Sequence, residues 1–308
     1  MNLSSMDYFI TLTQEQSFTR AAERLHITQQ ALSAHIAGME QELGSQLLLR
    51  RVPLELTYAG QVFLRYAQEI QRNLDSMDRE FSDLAQAQAG VLRIGVSTTR
   101  SHAVMPLLIA PFQRQYPKIS IQLAEGPNDA LSERLTHGEI DLAIANFPEA
   151  VPGMELVDFY EEEVVLLLAG ELWNALAGEN AQALSAAVEQ GDLTPLRDCP
   201  FLLNQRRDIA GRLASQLLTQ AGIIPIPKVE SNNMETLLEL CAQGAGACFC
   251  PENLMRMTLS PAQQNALKIF HFQDHTRYQI RFGYLKQPHL WSVISNFISF
   301  ARQSAHLL

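Results

Sequence analysis

The chain has 308 residues, of which 47% are hydrophobic and 18% are charged, and its formal net charge is −10. This length is enough for a small domain followed by a larger domain or by two lobes. No run of about 18 apolar residues occurs, so we predict no membrane-spanning helix. The N-terminal stretch lacks a basic region followed by an apolar run, so we predict no signal peptide. Four cysteines without a secretory signal are typical of a reduced, cytoplasmic protein.

The stretch from residue 17 to 44 predicts two helices joined by a tight turn, the first running from Phe18 to about His26. Ser17 and Thr28 stand where the N-caps of the two helices are expected, because a hydroxyl oxygen can accept a free backbone N–H of the first turn. Gly44 is expected to end the second helix. The apolar stripe of that helix has helical spacing and consists of Leu32, Ile36, Met39 and Leu43.

The face opposite this stripe is polar but uncharged. With Leu32 at the buried centre, Gln30 and Ala34 point outward and Ser33 lies on the flank. A glutamine amide suits adenine N6 and N7, and an alanine methyl suits the thymine methyl. A short helix, a tight turn and a second helix with polar first turns are typical of a helix-turn-helix that enters the major groove. The alternative is an ordinary helical hairpin with a solvated face.

The same stretch resembles the DNA-binding motif of the LysR-type transcriptional regulators, and the order of elements resembles that family over nearly the whole chain. The chain departs from the family at Ala34, where a basic residue is common. The matching positions are Ser17, Phe18, Ala21, Ala22, Leu25, Thr28, Gln29, Ala31, Leu32, Ser33, Ile36, Glu40, Leu43, Gly44, Leu47, Arg50, Thr57, Ala59 and Gly60. We predict DNA contacts by Ser17, Thr19, Thr28, Gln29, Gln30, Ser33, Ala34, His35, Arg50 and Arg51.

The first sixty residues contain four arginines, six carboxylates and no lysine. A DNA-binding domain usually has a basic patch, so contact must depend on a few well-placed charges, on helix N-termini and on dimerisation. Apolar residues alternate across Gln46–Thr57, which predicts a short hairpin, the wing. Arg50 and Arg51 would then lie near the DNA backbone or a minor groove, and the alternative is a solvated turn.

A long helix is predicted from Tyr58 to about Ala89, since no proline interrupts this stretch. Its apolar residues follow a heptad pattern. An exposed seam of this kind needs a partner, and the resemblance implies the same helix of a second subunit. The alternative is packing against its own domain. The seam consists of Phe63, Tyr66, Ile70, Leu74, Met77, Phe81 and Leu84.

Strands and helices alternate from Gly90 onward, which predicts a parallel α/β sheet. This part resembles the family's effector domain, which has the two-lobed fold of periplasmic solute-binding proteins. We therefore predict an α/β effector domain of two lobes, preceded by a winged helix-turn-helix domain and a long linker helix. An alanine-rich stretch, 171–200, is expected to be a partly helical surface insertion. The predicted bounds are 1–60 for the DNA-binding domain, 61–89 for the linker dimerisation helix and 90–308 for the effector-binding domain, with lobe I at 90–162 plus 267–308 and lobe II at 163–266.

Polar residues follow three predicted strands, each just before a helix, beginning at Ser97, Asn204 and Asn232. Ligands of open parallel sheets sit beyond the carboxyl ends of the strands, and helix N-termini there favour an anion. Arg100 or Arg206 could fork a carboxylate. The alternative is that these side chains only cap helices. We predict a small organic anion bound by Ser97, Thr98, Thr99, Arg100, Asn146, Asn204, Arg206 and Asn232.

No motif for catalysis is evident, since the chain has no Walker loop, no G-x-S-x-G elbow and no H-E-x-x-H zinc helix. We expect no enzymatic activity, no cofactor and no metal. His271 and His275 flank a predicted strand and a turn rather than one helix. Cys248 and Cys250 are two positions apart on a predicted strand, so both side chains face the same side of the sheet. Such positions are about 6–7 Å apart, which is too far for a disulfide. They are expected to be buried apolar residues.

The predicted function is therefore a sequence-specific transcriptional regulator whose activity depends on an effector bound between the two lobes. The resemblance implies a homodimer, dimers pairing into a tetramer, a two-fold related promoter site and contact with RNA polymerase. One alternative is a redox-responsive regulator of the same architecture that uses Cys199, Cys241, Cys248 or Cys250. The other is a ligand-binding sensor that does not act on transcription.

Overall fold

The computed structural model describes residues 2–49, 51, 53–85, 88–148, 150–205, 208–225, 227–272 and 275–307. The chain forms two compact units, residues 1–87 and 88–308. The N-terminal unit includes the long helix that we predicted as a separate linker. None of the helices described is long and apolar enough to span a membrane.

The N-terminal unit is helical, with one small hairpin. Its elements are α1 (Leu3–Glu15), α2 (Phe18–Arg24), α3 (Gln29–Leu43), β1 (Leu48–Leu49), β2 (Glu55–Leu56) and α4 (Tyr58–Leu84). The hairpin pairs β1 and β2 antiparallel, as predicted for the wing. Arg50 and Val52 lie outside the described residues.

The predicted helix boundaries hold at three of four positions. The side chains of Ser17 and Thr28 accept backbone N–H groups three residues on, at 3.4 and 3.1 Å. Gly44 ends α3 in the left-handed region, with φ of 63°. The predicted end of α2 at about His26 was wrong, because His26 has φ of 55°, which no right-handed helix contains. The helix ends at Arg24 instead.

The core of this unit lies beneath α3. Leu32 and Ile36 are fully buried and Met39 is 2% exposed, whereas Leu43, in the last turn, is 42% exposed. Gly60 at the start of α4 lies so close to the wing that a Cβ atom would come 2.0 Å from the Leu47 carbonyl oxygen. The predicted continuation of α4 to residue 89 was also wrong, because Gln88 has φ of 41°.

The C-terminal unit has two lobes. Lobe I contains β3 (Gly90–Val96), α5 (Thr98–Ala103), α6 (Met105–Gln115), β4 (Ile119–Glu125), α7 (Asn128–His137), β5 (Leu142–Ala145), the first part of β6 (Met154–Ala169), β11 (Arg277–Leu285) and α14 (Ser292–Gln303). Lobe II contains the second part of β6, α8 (Gly170–Ala177), α9 (Ala181–Glu189), β7 (Phe201–Leu203), α10 (Ile209–Gln220), β8 (Pro227–Glu230), α11 (Met234–Ala242), β9 (Ala247–Pro251), α12 (Glu252–Thr258), α13 (Pro261–Ala266) and β10 (Leu267–Phe270).

Strand β6 is shared by both lobes. Its first part pairs antiparallel with β11 as far as Glu163, and from Val164 onward it pairs antiparallel with β9. The parallel pairs predicted from the sequence do occur, as β3 with β4 and β5 and as β7 with β8 and β9. The strands of each lobe nevertheless form a mixed arrangement, because β11 is antiparallel to β5 and β6 in lobe I, and β6 is antiparallel to β9 and β10 in lobe II.

The predicted return to lobe I at residue 267 was wrong. Strand β10 pairs with the lobe II part of β6, with Leu267 opposite Ala169, and pairing with lobe I resumes only at Arg277. The alanine-rich insertion packs against β10. Trp173 of α8 is 4% exposed, and its ring meets that of Phe270 edge-on at 4.9 Å.

Candidate DNA-binding face and effector site

The side chains on the predicted base-reading face of α3 are exposed or half-exposed to solvent. Gln29, Gln30, Ala34 and His35 are exposed and Ser33 is half-exposed, while Leu32 beneath them is fully buried. The burial of one stripe therefore fixes which side chains point outward. The geometry places amides, a hydroxyl and a methyl on the first two turns of α3, as the sequence predicts.

The N-termini of α2 and α3 are capped by side chains that were also predicted to contact DNA. Ser17 and Thr28 each accept a backbone hydrogen bond through the hydroxyl oxygen. A hydroxyl also carries one O–H donor, so capping leaves each residue able to donate to a phosphate. Thr19 is exposed in the first turn of α2. The imidazole of His35 lies edge-on to Tyr8 at 5.0 Å, which holds the ring beside α1.

The arginines described in this unit up to residue 60 each have a carboxylate partner. Arg20 and Arg24 both pair with Glu15, and Arg51 pairs with Glu55 in the wing. The sequence had predicted Arg51 as a DNA contact but gave no indication of these pairs. A DNA phosphate must therefore compete with a carboxylate for each of these side chains.

The first set of predicted effector residues consists of Ser97, which follows β3, and the first residues of α5. Ser97 caps α5 by accepting the Arg100 N–H at 3.3 Å, and Arg100 Nη1 also donates to its hydroxyl oxygen at 3.1 Å. Thr98 is exposed and Thr99 is half-exposed. Thr98 and Thr99, in the first turn of α5, are therefore more accessible than the buried Arg100.

Arg100 is buried, with 4% of its surface exposed. Its guanidinium donates to Glu162 at 3.0 Å, to the Tyr160 hydroxyl at 3.1 Å and to the Ile144 carbonyl at 3.3 Å. Glu162 also accepts hydrogen bonds from the hydroxyls of Tyr160 and Tyr278. This network joins α5 to β6 and β11 where the chain passes between the lobes. It does not support the prediction that Arg100 forks an effector carboxylate, because each of its three guanidinium nitrogens already donates a hydrogen bond within the protein.

Burial and charge shift the pKa values of this network in the directions that keep it intact. Burial, the largest single effect, lowers the pKa of Arg100, but the negative charge of Glu162 and the interactions with Tyr160 and Tyr278 together outweigh it, and the pKa is raised. The pKa values of Tyr160 and Tyr278 are raised, first by burial and then by Glu162. Both tyrosines therefore keep their protons and donate to the carboxylate at neutral pH.

Two of the effector-binding residues predicted in lobe II line a cavity that is separate from the residues predicted in lobe I. Asn204 Nδ2 donates to Asp208 at 2.7 Å and its Oδ1 accepts the Gln205 N–H at 2.7 Å, so both groups of this amide have local partners. Asn232 is exposed. Both asparagines line a cavity of about 760 Å³ beside α10 and β8, which includes none of the predicted lobe I residues. Arg206 lies outside the described residues.

Asn146 lies at the end of β5, where its Nδ2 donates to the Gln279 carbonyl of β11 at 3.0 Å. The structure thus brings Ser97 together with Arg100, and Asn204 together with Asn232. Arg100 and Asn204 act within the protein, whereas Thr98, Thr99 and Asn232 remain accessible.

All four cysteines are buried and free. Burial raises the pKa of Cys199 to about 11 and that of Cys241 to about 12, and it raises the pKa values of Cys248 and Cys250 well above the usual range of a thiol. A reactive cysteine requires a lowered pKa and access to solvent. These thiols behave as apolar core groups, and the arrangement does not favour the redox alternative.

Three potential metal ligands approach one another within the described part of the chain. Ligand atoms of Glu163, Glu252 and His271 lie within 4.8 Å of one another. However, Glu163 pairs with Arg277 at 3.3 Å and Glu252 pairs with Arg256 at 2.6 Å. Because both carboxylates already have cationic partners, the group is better described as an ion-pair network at the exposed side of β6.

Comparisons with known proteins agree with this architecture. Residues 3–61 match the bacterial regulatory helix-turn-helix protein, lysR family, and residues 85–306 match the LysR substrate binding domain. The chain is 31% identical to a probable RuBisCO transcriptional regulator of Cyanidioschyzon merolae, over 80% of each chain. It is 27% identical to the uncharacterized HTH-type transcriptional regulator YcgK of Bacillus subtilis, over 99% of this chain and 95% of that one.

Solved structures share the fold over the full length. Full-length OxyR C199D from Pseudomonas aeruginosa has a TM-score of 0.70 and 23% identity, covering 98% of both chains. Full-length CbnR, solved in complex with its target DNA, has a TM-score of 0.64 and 22% identity, covering 99% of this chain and all of that one.

Proposed function

The chain belongs to the LysR family of DNA-binding, effector-responsive transcriptional regulators, and from that premise we propose how it recognises its two ligands. We propose that it acts in the cytoplasm, without enzymatic activity, as a homodimer on a two-fold related promoter site, where RNA polymerase is its further partner. The effector is a small organic anion. The observation that carries the DNA part is the bare polar face of α3 above a fully buried apolar stripe.

In this proposal the first turns of α3 read base edges in the major groove. Gln30 and Ser33 supply hydrogen bonds and Ala34 supplies a methyl contact. Thr28 and Gln29 lie at the N-terminus of α3, where free N–H groups suit a phosphate. Arg50 and Arg51 of the wing contact the backbone. The division of roles follows from direction, because only side chains opposite Leu32 can enter the groove.

Replacing Gln30 by alanine is expected to weaken binding to the specific site by about 1–3 kcal/mol and to leave binding to random DNA nearly unchanged. The reason is that a base contact discriminates between sequences and a phosphate contact does not. The measurement is a fluorescence titration of both DNAs at one salt concentration.

The matched control is Gln41→Ala. Gln41 is also exposed on α3 and points in nearly the same direction, but it lies about three turns nearer the C-terminus. This control is expected to leave both affinities within about twofold of wild type, since only the N-terminal turns of a recognition helix reach base edges. Equal losses on both DNAs for Gln30→Ala would remove that residue from the base-reading set.

The homodimer is proposed to form through α4. Phe63 is 9% exposed and meets Phe9 at 5.0 Å, so the first seam residue belongs to the core of its own unit. The later seam residues Met77, Phe81 and Leu84 are 48%, 64% and 74% exposed. A soluble helix with such a row of apolar side chains requires a covering partner. The same helix of a second subunit fits, because a two-fold DNA site requires a two-fold protein. Pairing of dimers into tetramers would use the effector domains.

The effector is proposed to bind between the lobes, against Ser97 and the first turn of α5. The supporting observation is that Thr98 is exposed and Thr99 is half-exposed just beyond the carboxyl end of the parallel strand β3, while Arg100 is held by Glu162. Asn232 follows a parallel strand of lobe II in the same way. The role of Arg206 stays a prediction from the sequence.

A panel of small mono- and dicarboxylates is expected to include a ligand that raises the melting temperature of the full-length protein. At a hundredfold excess over its Kd such a ligand adds about 2.7 kcal/mol, which is about 5–10 °C for a unit of this size. Thr99→Val should reduce the shift of that ligand, and Ser120→Val, at an exposed site of β4, should not. A full shift for Thr99→Val would exclude the first turn of α5 from the binding site.

A further inference from the structure

Glu15 pairs with both arginines of α2, and we infer that it lowers the affinity of the protein for the DNA backbone without affecting sequence preference. This inference rests on the DNA-binding function proposed above and adds a residue that does not itself face DNA bases. Arg20 and Arg24 are one helical turn apart and therefore lie on the same side of α2.

The two arginines contact different carboxylate oxygens of Glu15. Arg24 Nη1 donates to Glu15 Oε1 at 2.9 Å, and Arg20 Nε lies 3.6 Å from Glu15 Oε2. Arg20 also donates to the main-chain carbonyl of Glu15. Glu15 is the last residue of α1, and the next residue, Gln16, has φ of 49°, which turns the chain between the two helices. One carboxylate thus bridges two guanidinium groups.

The exposure of these groups shows what remains available to a ligand. The arginine side chains are 63% and 56% exposed, whereas that of Glu15 is 25% exposed. The cations therefore face solvent at the surface of α2 and the carboxylate lies beneath them. In a helix-turn-helix the helix before the recognition helix crosses the phosphate backbone, and arginine forks suit phosphate.

The negative charge of Glu15 lowers the net charge of the surface formed by Arg20, Arg24 and Glu15 from +2 to +1. Each phosphate neutralised by a protein cation releases counterions and steepens the salt dependence of log K by about 0.9. Removing the carboxylate frees one more cation for a phosphate in each DNA-bound subunit. Because phosphate contacts carry no sequence information, the gain is the same on a selected site and on random DNA.

The test compares Glu15→Gln with Glu23→Gln in the full-length protein. Glu23 is exposed on α2 and has no ion pair among the residues described, so the two variants differ in charge pairing but not in net charge. The probe is a fluorescent 30-base-pair duplex of arbitrary sequence, titrated between about 0.05 and 0.3 M salt. We expect Glu15→Gln to steepen the slope by about 0.9 for each bound subunit and to tighten binding up to about eightfold per subunit at 0.1 M salt. Glu23→Gln is expected to change binding less than twofold.

A second comparison separates a direct effect on the arginines from a change in fold. In a background carrying Arg20→Gln and Arg24→Gln, Glu15→Gln is expected to have no more effect than Glu23→Gln. Glu15→Ala also removes the carboxylate and is expected to reproduce the steeper slope, so the test does not depend on one variant. Identical slopes for the Glu15 and Glu23 variants would overturn the inference. Absence of salt-dependent binding by the wild-type protein would instead contradict the DNA-binding proposal itself.

Discussion

Glu162→Gln is expected to destabilise the C-terminal unit by about 3–5 kcal/mol, the cost of leaving one member of a buried ion pair without its partner. Glu162 is 6% exposed and Arg100 is 4% exposed, so neither charge can be solvated when the other is removed. The substitution also turns a carboxylate that accepts from two tyrosines into an amide with one oxygen. The loss of stability is measured by urea unfolding of the full-length protein. The fluorescence of Trp173 and Trp291 follows the C-terminal unit, because both tryptophans lie within residues 88–308.

The control for this prediction is the neighbouring Glu161→Gln. Glu161 is exposed on the same strand, and exposed substitutions of this kind usually stay within about 0.5 kcal/mol. A loss below about 1 kcal/mol for Glu162→Gln would mean that the buried pair is not a determinant of stability. Arg100→Met should behave like Glu162→Gln, because it leaves the opposite charge buried.

The double substitution Ile70→Asp with Met77→Asp is expected to give a monomer that loses specific DNA binding by about 10²–10⁴-fold. The apolar seam of α4 would acquire two carboxylates that cannot be buried without partners. Linking two binding modules raises overall affinity by a factor of this size, and separation of the subunits removes it. Sedimentation equilibrium measures the mass, and a titration on the selected two-fold site measures the affinity.

The matched control introduces the same two charges on the opposite side of α4. Gln68→Asp with Ser82→Asp lies about 120–180° away from Ile70 and Met77 around the helix. This protein is expected to remain a dimer and to bind the site with near wild-type affinity. A dimer formed equally by both double variants would show that the seam is not the interface.

The N-terminal unit could be predicted closely from the sequence because its signals are local. Ser17, Thr28 and Gly44 act within one helical turn, and the stripe from Leu32 to Met39 depends only on helical period. The end of α2 at Arg24 was missed because a left-handed residue other than glycine, here His26, leaves little trace in composition. The pairing of Arg20 and Arg24 with Glu15 was missed because it depends on the angle between two helices.

The C-terminal unit was predicted as a fold of two lobes, and that prediction is confirmed, but its contacts between distant residues were not foreseen. The first part of β6 carries Glu155, Asp158 and Glu161 among apolar residues, so it lacks the apolar run that identified the other strands. Arg100 and Glu162 are 62 residues apart in the chain, and nothing near Arg100 indicates a buried partner. The sequence therefore predicted a guanidinium free to bind the effector, whereas the folded chain shows that Glu162 already binds it.

Recognition of DNA by α3 of a two-fold dimer can be measured by selecting binding sites from a random-sequence duplex pool with the full-length protein. A dimer of this architecture is expected to enrich an inverted repeat whose half-sites are centred about one helical turn, or a multiple of it, apart. Gln30→Ala should relax the preference at one position in each half-site and preserve the spacing. Enrichment of a single unrepeated site, or of no sequence at all, would contradict sequence-specific binding by a two-fold dimer.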